Sequence, residues 1–316
     1  MSALRHTQTF CKALSAFVIG TCALLQAQHA KAGAFCTMSK NAAQVSRTAY
    51  NSSASDKRKY LPSGFTYRKS WSSSTYKGGD HAYMSESYIY IQQVSKDPTN
   101  KTAKPTFVKK KACHYTFRGL NLSNTEMLDE VKVMKKKVNC SSYNKRGMGS
   151  CSKAPYRRYL TLRNNIIAHI KVYIAKGRCD FLVLNGHSMG GAMAVLLAAD
   201  LYLYNKSVYH NKFVKVYTFG SPKTFEKSSA SNWSSKLSIT RWAYDDSKGL
   251  GDHVPRMPSS SFAHLGRAYK IYRKFRLFKK SQYSYNKQSD QWTPSPKLFG
   301  THAANYYTDA LNKGCK

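Results

Sequence analysis

The sequence predicts an α/β fold, with a mostly parallel central sheet flanked by helices. Short apolar runs alternate with helical patterns through the middle of the chain, and such alternation builds parallel strands covered by their connecting helices. A Gly-x-Ser-x-Gly pattern stands at residues 186–190, directly between one apolar run and one small-residue helix. No internal repeat and no clear linker divides the chain, so a single domain over residues 35–316 is expected.

The elements follow in order. Ala42 to Tyr50 predicts a short helix, and residues 51–80, rich in Ser, Lys, Tyr and Gly, predict a loop. Ser85 to Val94 gives a strand signal, 97–105 a loop with Pro98 and Pro105, and Phe107 to Phe117 a second, β-prone strand. Residues 141–154 are mostly polar and predict a loop. Tyr159, Leu162, Ile166, Ile167, Ile170 and Tyr173 recur at spacings of three and four, the stripe of an amphipathic helix over 156–174. Strands are then expected at 181–184, 213–219, 237–244 and 269–277, and helices at 190–203 and 303–311.

Lys and Arg total 51 against 15 Asp and Glu, a formal charge of +36, and the excess is spread along the chain. That excludes an acidic mimic and favours contact with an anionic surface. A non-catalytic binder of anionic polymers is the alternative from this class of argument, but no nucleic-acid module stands out and no nucleic-acid partner is expected.

Residues 1–34 read as a signal peptide. Arg5 and Lys12 precede an apolar stretch from Ala13 to Leu25, and small residues at Ala32 and Ala34 offer a cleavage site. The expectation is a secreted, extracellular protein. Cys36, Cys113, Cys140, Cys151, Cys179 and Cys315 remain, an even number suited to three disulfides. Cys36 with Cys315 would tie the two ends together, and Cys140 with Cys151 would close a short loop. No set of residues has metal-ligand spacing, and no cofactor is expected.

Leu182 to Ala192 carries the strongest chemical signal: a strand, then Gly186-His187-Ser188-Met189-Gly190-Gly191, then a helix. A sharp strand-to-helix turn exposes the Ser188 hydroxyl, and Gly186 and Gly190 flank the turn where side chains would crowd it. The Met189 N–H, at the positive end of the helix, can meet a developing oxyanion. A serine needs a base oriented by an acid. The acids that follow include Asp200, Glu226, Asp245, Asp246 and Asp252, and the histidines are His210, His253, His264 and His302.

These segments resemble the fungal-type class 3 lipases, an α/β-hydrolase family. The Gly186–Ala192 stretch resembles their nucleophile elbow, and Phe117-Arg118-Gly119 the end of their oxyanion strand. Tyr217-Thr218-Phe219-Gly220-Ser221-Pro222 is similar to the strand and turn after the nucleophile helix. Asp252-His253-Val254-Pro255 resembles the stretch with the catalytic aspartate, and Phe262-Ala263-His264-Leu265-Gly266 a supporting histidine stretch. Thr301-His302 to Tyr307 resembles the segment of the catalytic histidine.

The resemblance implies a triad of Ser188, Asp252 and His302, with Asp246 the rival acid. It implies oxyanion donors at Leu120 and Met189, where many relatives carry Thr or Ser in place of Leu120. Arg118, Gly119 and His264 become structural supports, Arg118 pairing with an acid such as Asp129. Residues 120–127 are read either as a lid or as the start of a core-facing helix with Leu128, Val131 and Met134. The implied activity is carboxylic ester hydrolysis on lipid, with triacylglycerol first and phospholipid or feruloyl and polysaccharide esters as alternatives. The basic surface would assist peripheral contact between a monomer and an anionic membrane or lipid interface.

Overall fold

The computed structural model describes residues 34–76, 78–93, 106–120, 124–204, 214–246, 251–258, 261–276, 279–287 and 302–314. Helix α1 (34–48) and α2 (Ala54–Tyr60) lead into strands β1 (Thr66–Ser73), β2 (Asp80–Gln93) and β3 (Thr106–Phe117). Helix α3 (Asn124–Met134), the hairpin β4 (Lys137–Ser141) and β5 (Gly147–Ser152), and the long α4 (Lys153–Ala175) follow. Then come β6 (Phe181–His187), α5 (Met189–Tyr204), β7 (Val214–Phe219), β8 (Phe225–Glu226), α6 (Lys227–Ser234) and β9 (Ile239–Asp246). The last are β10 (Phe262–Ala263), β11 (Arg267–Arg276), β12 (Lys279–Lys287) and α7 (Ala304–Gly314).

Among the described residues the main sheet runs β1-β2-β3-β6-β7-β9-β11-β12. From β3 to β11 the neighbours are parallel, and the outer pairs are antiparallel. Strand alternation sends successive side chains to two layers. Leu182, Leu184, Val214 and Val216 face a core with α4, α5 and α6. Val183, Tyr217, Phe219 and Trp242 face a second core under α1 and α7, where Cys36, Ala42, Ala43, Tyr307, Ala310 and Leu311 pack. This double burial explains why the central strands read as unbroken apolar runs.

Helix α4 buries the predicted stripe of Tyr159, Leu162, Ile166, Ile167 and Ile170. It stops at Gly177, whose φ of 63° is left-handed, with the Arg178 N–H turning back to the Tyr173 carbonyl at 2.9 Å. Helix α5 is buried almost all round, which its Gly and Ala content permits against β6 and β7.

Two predicted loops are ordered elements instead. Residues 51–80 contain α2 and β1: Ser53 caps α2 by accepting the Asp56 N–H at 2.9 Å, and β1 pairs with β2 as an edge strand with only Trp71 buried. An edge strand with one apolar anchor gives no alternation to read. Residues 141–154 contain β5, which pairs with β4 in a second, four-stranded sheet ordered β10-β8-β5-β4. Its inward residues, Cys140, Met148 and Cys151, are too few to mark a strand by pattern. The expected loop at 97–105 lies outside the described residues.

Disulfides join Cys113 to Cys179, stapling β3 to the approach of β6, and Cys140 to Cys151 across the hairpin. Cys36 is also disulfide-bonded; Cys315, its expected partner, lies outside the described residues, as do residues 1–33. No helix among the described residues is long and apolar enough to cross a membrane.

Candidate active site

Strand β6 ends at His187 and α5 begins at Met189, so the whole turn falls on Ser188. Its φ is 58°, a left-handed conformation costing roughly 1–2 kcal/mol for a side chain with Cβ. Two bonds hold it there. The Ser188 N–H donates to the Phe219 carbonyl at 2.8 Å, and the Ser188 carbonyl accepts the Gly191 N–H at 2.9 Å. The elbow packs closely on the strand-end loop after β3. A Cβ at Gly190 would press on Phe117 and Arg118 backbone, and one at Gly119 would lie 2.8 Å from the His187 carbonyl and from the Ser188 Cβ.

His302, just before α7, reaches this turn from the C-terminal side. Its Nε2 lies 2.7 Å from the Ser188 Oγ, and its Nδ1 lies 2.8 Å from the Asp252 Oδ2. All three residues are buried. Asp252 is fixed by its own backbone, whose N–H donates to the Tyr244 carbonyl at the end of β9. Its Oδ1 accepts the Val254 N–H at 2.9 Å, and its Oδ2 also accepts the Tyr307 hydroxyl. That hydroxyl in turn accepts the Tyr244 N–H at 3.2 Å. Burial, and next the charge of Asp252, hold the Tyr307 phenol far above its ordinary range, so it stays a donor. The bond from Tyr307 to Asp252 has no signal in the sequence.

The other candidates take supporting places. His264 donates through Nε2 to the Pro255 carbonyl at 2.5 Å, bracing the turn beyond Asp252. Burial pushes its pKa well down, helped by Arg241. His253 is buried next to Asp252, its pKa lowered by burial and then by Arg256; it makes no bond to Ser188. Asp246 ends β9, and the carboxylate that meets His302 is that of Asp252.

Arg118 is structural, but its expected pairing with Asp129 is corrected. Its Nη2 donates to the Gly78 and Gly79 carbonyls, at 2.5 and 2.9 Å, while Asp129 pairs with Lys132 at 2.9 Å. The carbonyls of the β1–β2 turn are what Arg118 meets. Helix α3 is instead tied down by Glu130, which accepts from Arg157 at 2.6 Å and Arg158 at 2.8 Å. Of the 120–127 segment, residues 121–123 lie outside the described residues and α3 begins at Asn124.

Leu120, Val133, Met134, Ala154, Met189 and Met257 form one apolar cluster. The loop after β3, the start of α5 and the loop after Asp252 thus share one apolar cluster. Among the described residues no group of three or more His, Cys, Asp or Glu is arranged to hold a metal.

A parallel sheet with a strained serine between a strand and a helix, facing a buried imidazole, defines an α/β-hydrolase. Residues 115–262 match the profile of the Lipase (class 3) family. This similarity to the class 3 lipases covers just under half of the chain. Triacylglycerol lipase OBL1 of Ricinus communis is 30% identical over 109 residues, 33% of this chain. The chain spans only about a fifth of the length of that relative, 21%. Among solved structures, a triacylglycerol lipase from Penicillium expansum aligns with TM-score 0.60 at 16% identity, covering 90% of this chain and 97% of that one. A lipase from Rhizopus microsporus var. chinensis aligns with TM-score 0.57 at 18% identity, covering 82% and 81%. At such identities the likeness concerns the fold.

Proposed function

We propose that the chain is a secreted triacylglycerol lipase using Ser188, His302 and Asp252 as its triad. His302 Nε2 takes the Ser188 proton as the Oγ attacks the acyl carbonyl. Asp252 holds the ring in the tautomer that leaves Nε2 free to accept, and stabilises the imidazolium that forms. The Met189 and Leu120 N–H groups hold the oxyanion of the tetrahedral intermediate. His302 then returns the proton to the departing glycerol alcohol, leaving acyl-Ser188. Water, deprotonated by His302, attacks the acyl carbon, and collapse releases the fatty acid and restores Ser188.

The observation that carries this reading is the unbroken hydrogen-bond chain from Ser188 through His302 to Asp252. The apolar cluster that holds Leu120, Met189 and Met257 suits an acyl chain, and the relatives named above as triacylglycerol lipases support the same substrate. Export after residue 34 agrees with the disulfides Cys113–Cys179 and Cys140–Cys151, which persist in oxidising compartments. The large excess of Lys and Arg over Asp and Glu, which persists after removal of residues 1–34, favours adsorption of the monomer to an anionic lipid interface.

The test is a panel of triacylglycerol, phospholipid and feruloyl esters, run with wild type and Ser188→Ala. Triacylglycerol should turn over fastest, and Ser188→Ala should lower kcat by about 10⁵- to 10⁶-fold while folding normally. Preference for another ester would change the substrate assigned. Undiminished turnover by Ser188→Ala would remove the triad itself.

A further inference from the structure

Tyr50 lies just past α1, in sequence far ahead of the matched class 3 segment, and its hydroxyl reaches the nucleophile turn. The phenol oxygen is 2.7 Å from His187 Nδ1, and the two rings meet edge to face at 5.7 Å. The same oxygen fills the space where a Cβ at Gly119 would stand, so the hydroxyl packs on the Gly119 main chain. Burial raises the Tyr50 phenol's pKa and keeps its hydrogen in place for Nδ1. His187 is therefore assigned the tautomer with its proton on Nε2.

The far edge of that imidazole turns toward His302. The ring centroids are 4.7 Å apart with planes inclined by 31°. The His187 Nε2 is buried without a close hydrogen-bond partner, and the nearby His302 main chain favours its protonated form, as an accepting carbonyl does. Burial and then the neighbouring His302 nevertheless hold the His187 pKa well below its usual value, so the ring stays neutral. A second cation at this distance would oppose formation of the His302 imidazolium, whereas a neutral ring lies against it without charge repulsion.

We propose that Tyr50 and His187 are positioning residues for the ester hydrolysis. The Tyr50 hydroxyl ties the oxyanion loop at Gly119 to the elbow, and the His187 ring backs His302 in line with the Ser188 hydroxyl. The proposal rests on the triad reading given above. It explains why an aromatic just past α1 is built into the site, and why the residue before the serine is an imidazole with an accepting nitrogen. Both act through the placement of Gly119, Leu120 and His302, and misplacement of reacting groups is costly to the rate.

The test compares Tyr50→Phe, His187→Phe and the double variant, using a soluble short-chain ester and an organophosphonate that labels Ser188. Both substitutions keep a ring in place. Each single variant should lose roughly tenfold in kcat and in the labelling rate, with KM within about twofold, the effect of one lost neutral hydrogen bond. The double variant should fall no more than about twofold below the worse single, because one strut is being cut twice. His187→Gln, which can still accept from Tyr50, should recover part of the loss of His187→Phe, an effect that packing alone would not produce. Wild-type kcat in Tyr50→Phe, a change confined to KM, or multiplicative losses in the double variant would overturn the proposal. Those results are distinct from turnover by Ser188→Ala, which would instead undo the triad. If Tyr50→Phe does not fold, the His187→Phe and His187→Gln pair decides.

Discussion

Gly220→Ala should poison the site without removing any of its groups. Gly220 follows β7 with φ at 58°. A methyl there would lie 2.6 Å from the Asp252 Oδ2, 2.9 Å from the Tyr307 hydroxyl and 3.1 Å from the His302 Cε1. Non-bonded carbon contacts are optimal at about 3.5–4.0 Å, so acid and base must each retreat by roughly half an ångström or more. Displacement on that scale costs about a hundredfold in rate. The left-handed backbone adds about 1–2 kcal/mol of instability, and the overpacking a further ~1–3 kcal/mol. Gly177→Ala separates the two effects: its φ is 63° and no atom lies within 4 Å of its Cβ position. The assay is urea unfolding together with short-chain ester turnover for both variants. Gly177→Ala should lose the backbone increment and keep its turnover, while Gly220→Ala loses both stability and rate. Gly220→Ala with wild-type kcat would refute the claim that Asp252, Tyr307 and His302 must be placed this closely for catalysis.

Other predictions concern the framework. Burial pushes the His114 imidazole down to about 3, so below about pH 6.5 the unfolded chain binds a proton that the folded chain refuses. Its contribution is whole above pH 6.5 and is lost as pH falls toward 3. His114→Gln, which can keep the Ser87 bond of 2.8 Å, should flatten the stability slope between pH 4 and 6 by up to about 1.4 kcal/mol per pH unit; urea midpoints across that range check it, and an unchanged slope counts against it. Replacing Cys113 and Cys179 by Ala opens a loop of 66 residues, and replacing Cys140 and Cys151 one of 11. Loop-closure entropy gives losses of about 4 and about 3 kcal/mol respectively, and unfolding in the absence of reductant should show that order.

The sequence was legible wherever chemistry restricts the residue type. A strand-to-helix turn with Gly on both sides admits few alternatives, so Ser188 could be read directly. Asp252 and His302 required the family resemblance, because a loop acid and a histidine before a short helix have no pattern of their own. The long stripe of α4 and the apolar runs of β6 and β7 were visible because each buries a regular set of positions. Strand β1 and the β4–β5 hairpin were not, since each buries only one or a few side chains and owes its pairing to neighbours distant in sequence. Arg118 shows the same limit. Its cation could be counted, but its partners are main-chain carbonyls at Gly78 and Gly79, which have no side-chain signature.

The scarcity of carboxylates has a structural consequence for the charge. Buried acids among the described residues are committed to internal partners. Asp80 and Glu130 receive Arg158 at 2.7 and 2.8 Å, and Glu86 receives Arg68 at 2.8 Å. Asp200 accepts the Tyr143 N–H at 2.6 Å and the Tyr159 hydroxyl at 2.8 Å, and Asp252 serves His302. Among the described residues, drawing these acids inward leaves fewer of them to neutralise exposed lysines. Charge on the exposed lysines is screened beyond about 8 Å at physiological salt. It bears on which interface the protein meets, while the alignment of Ser188 and His302 is set by short, buried hydrogen bonds that salt scarcely reaches. On the proposed reading, binding to an anionic surface and the chemical step are separable: raising ionic strength should weaken adsorption to anionic vesicles and leave turnover of a soluble ester unchanged.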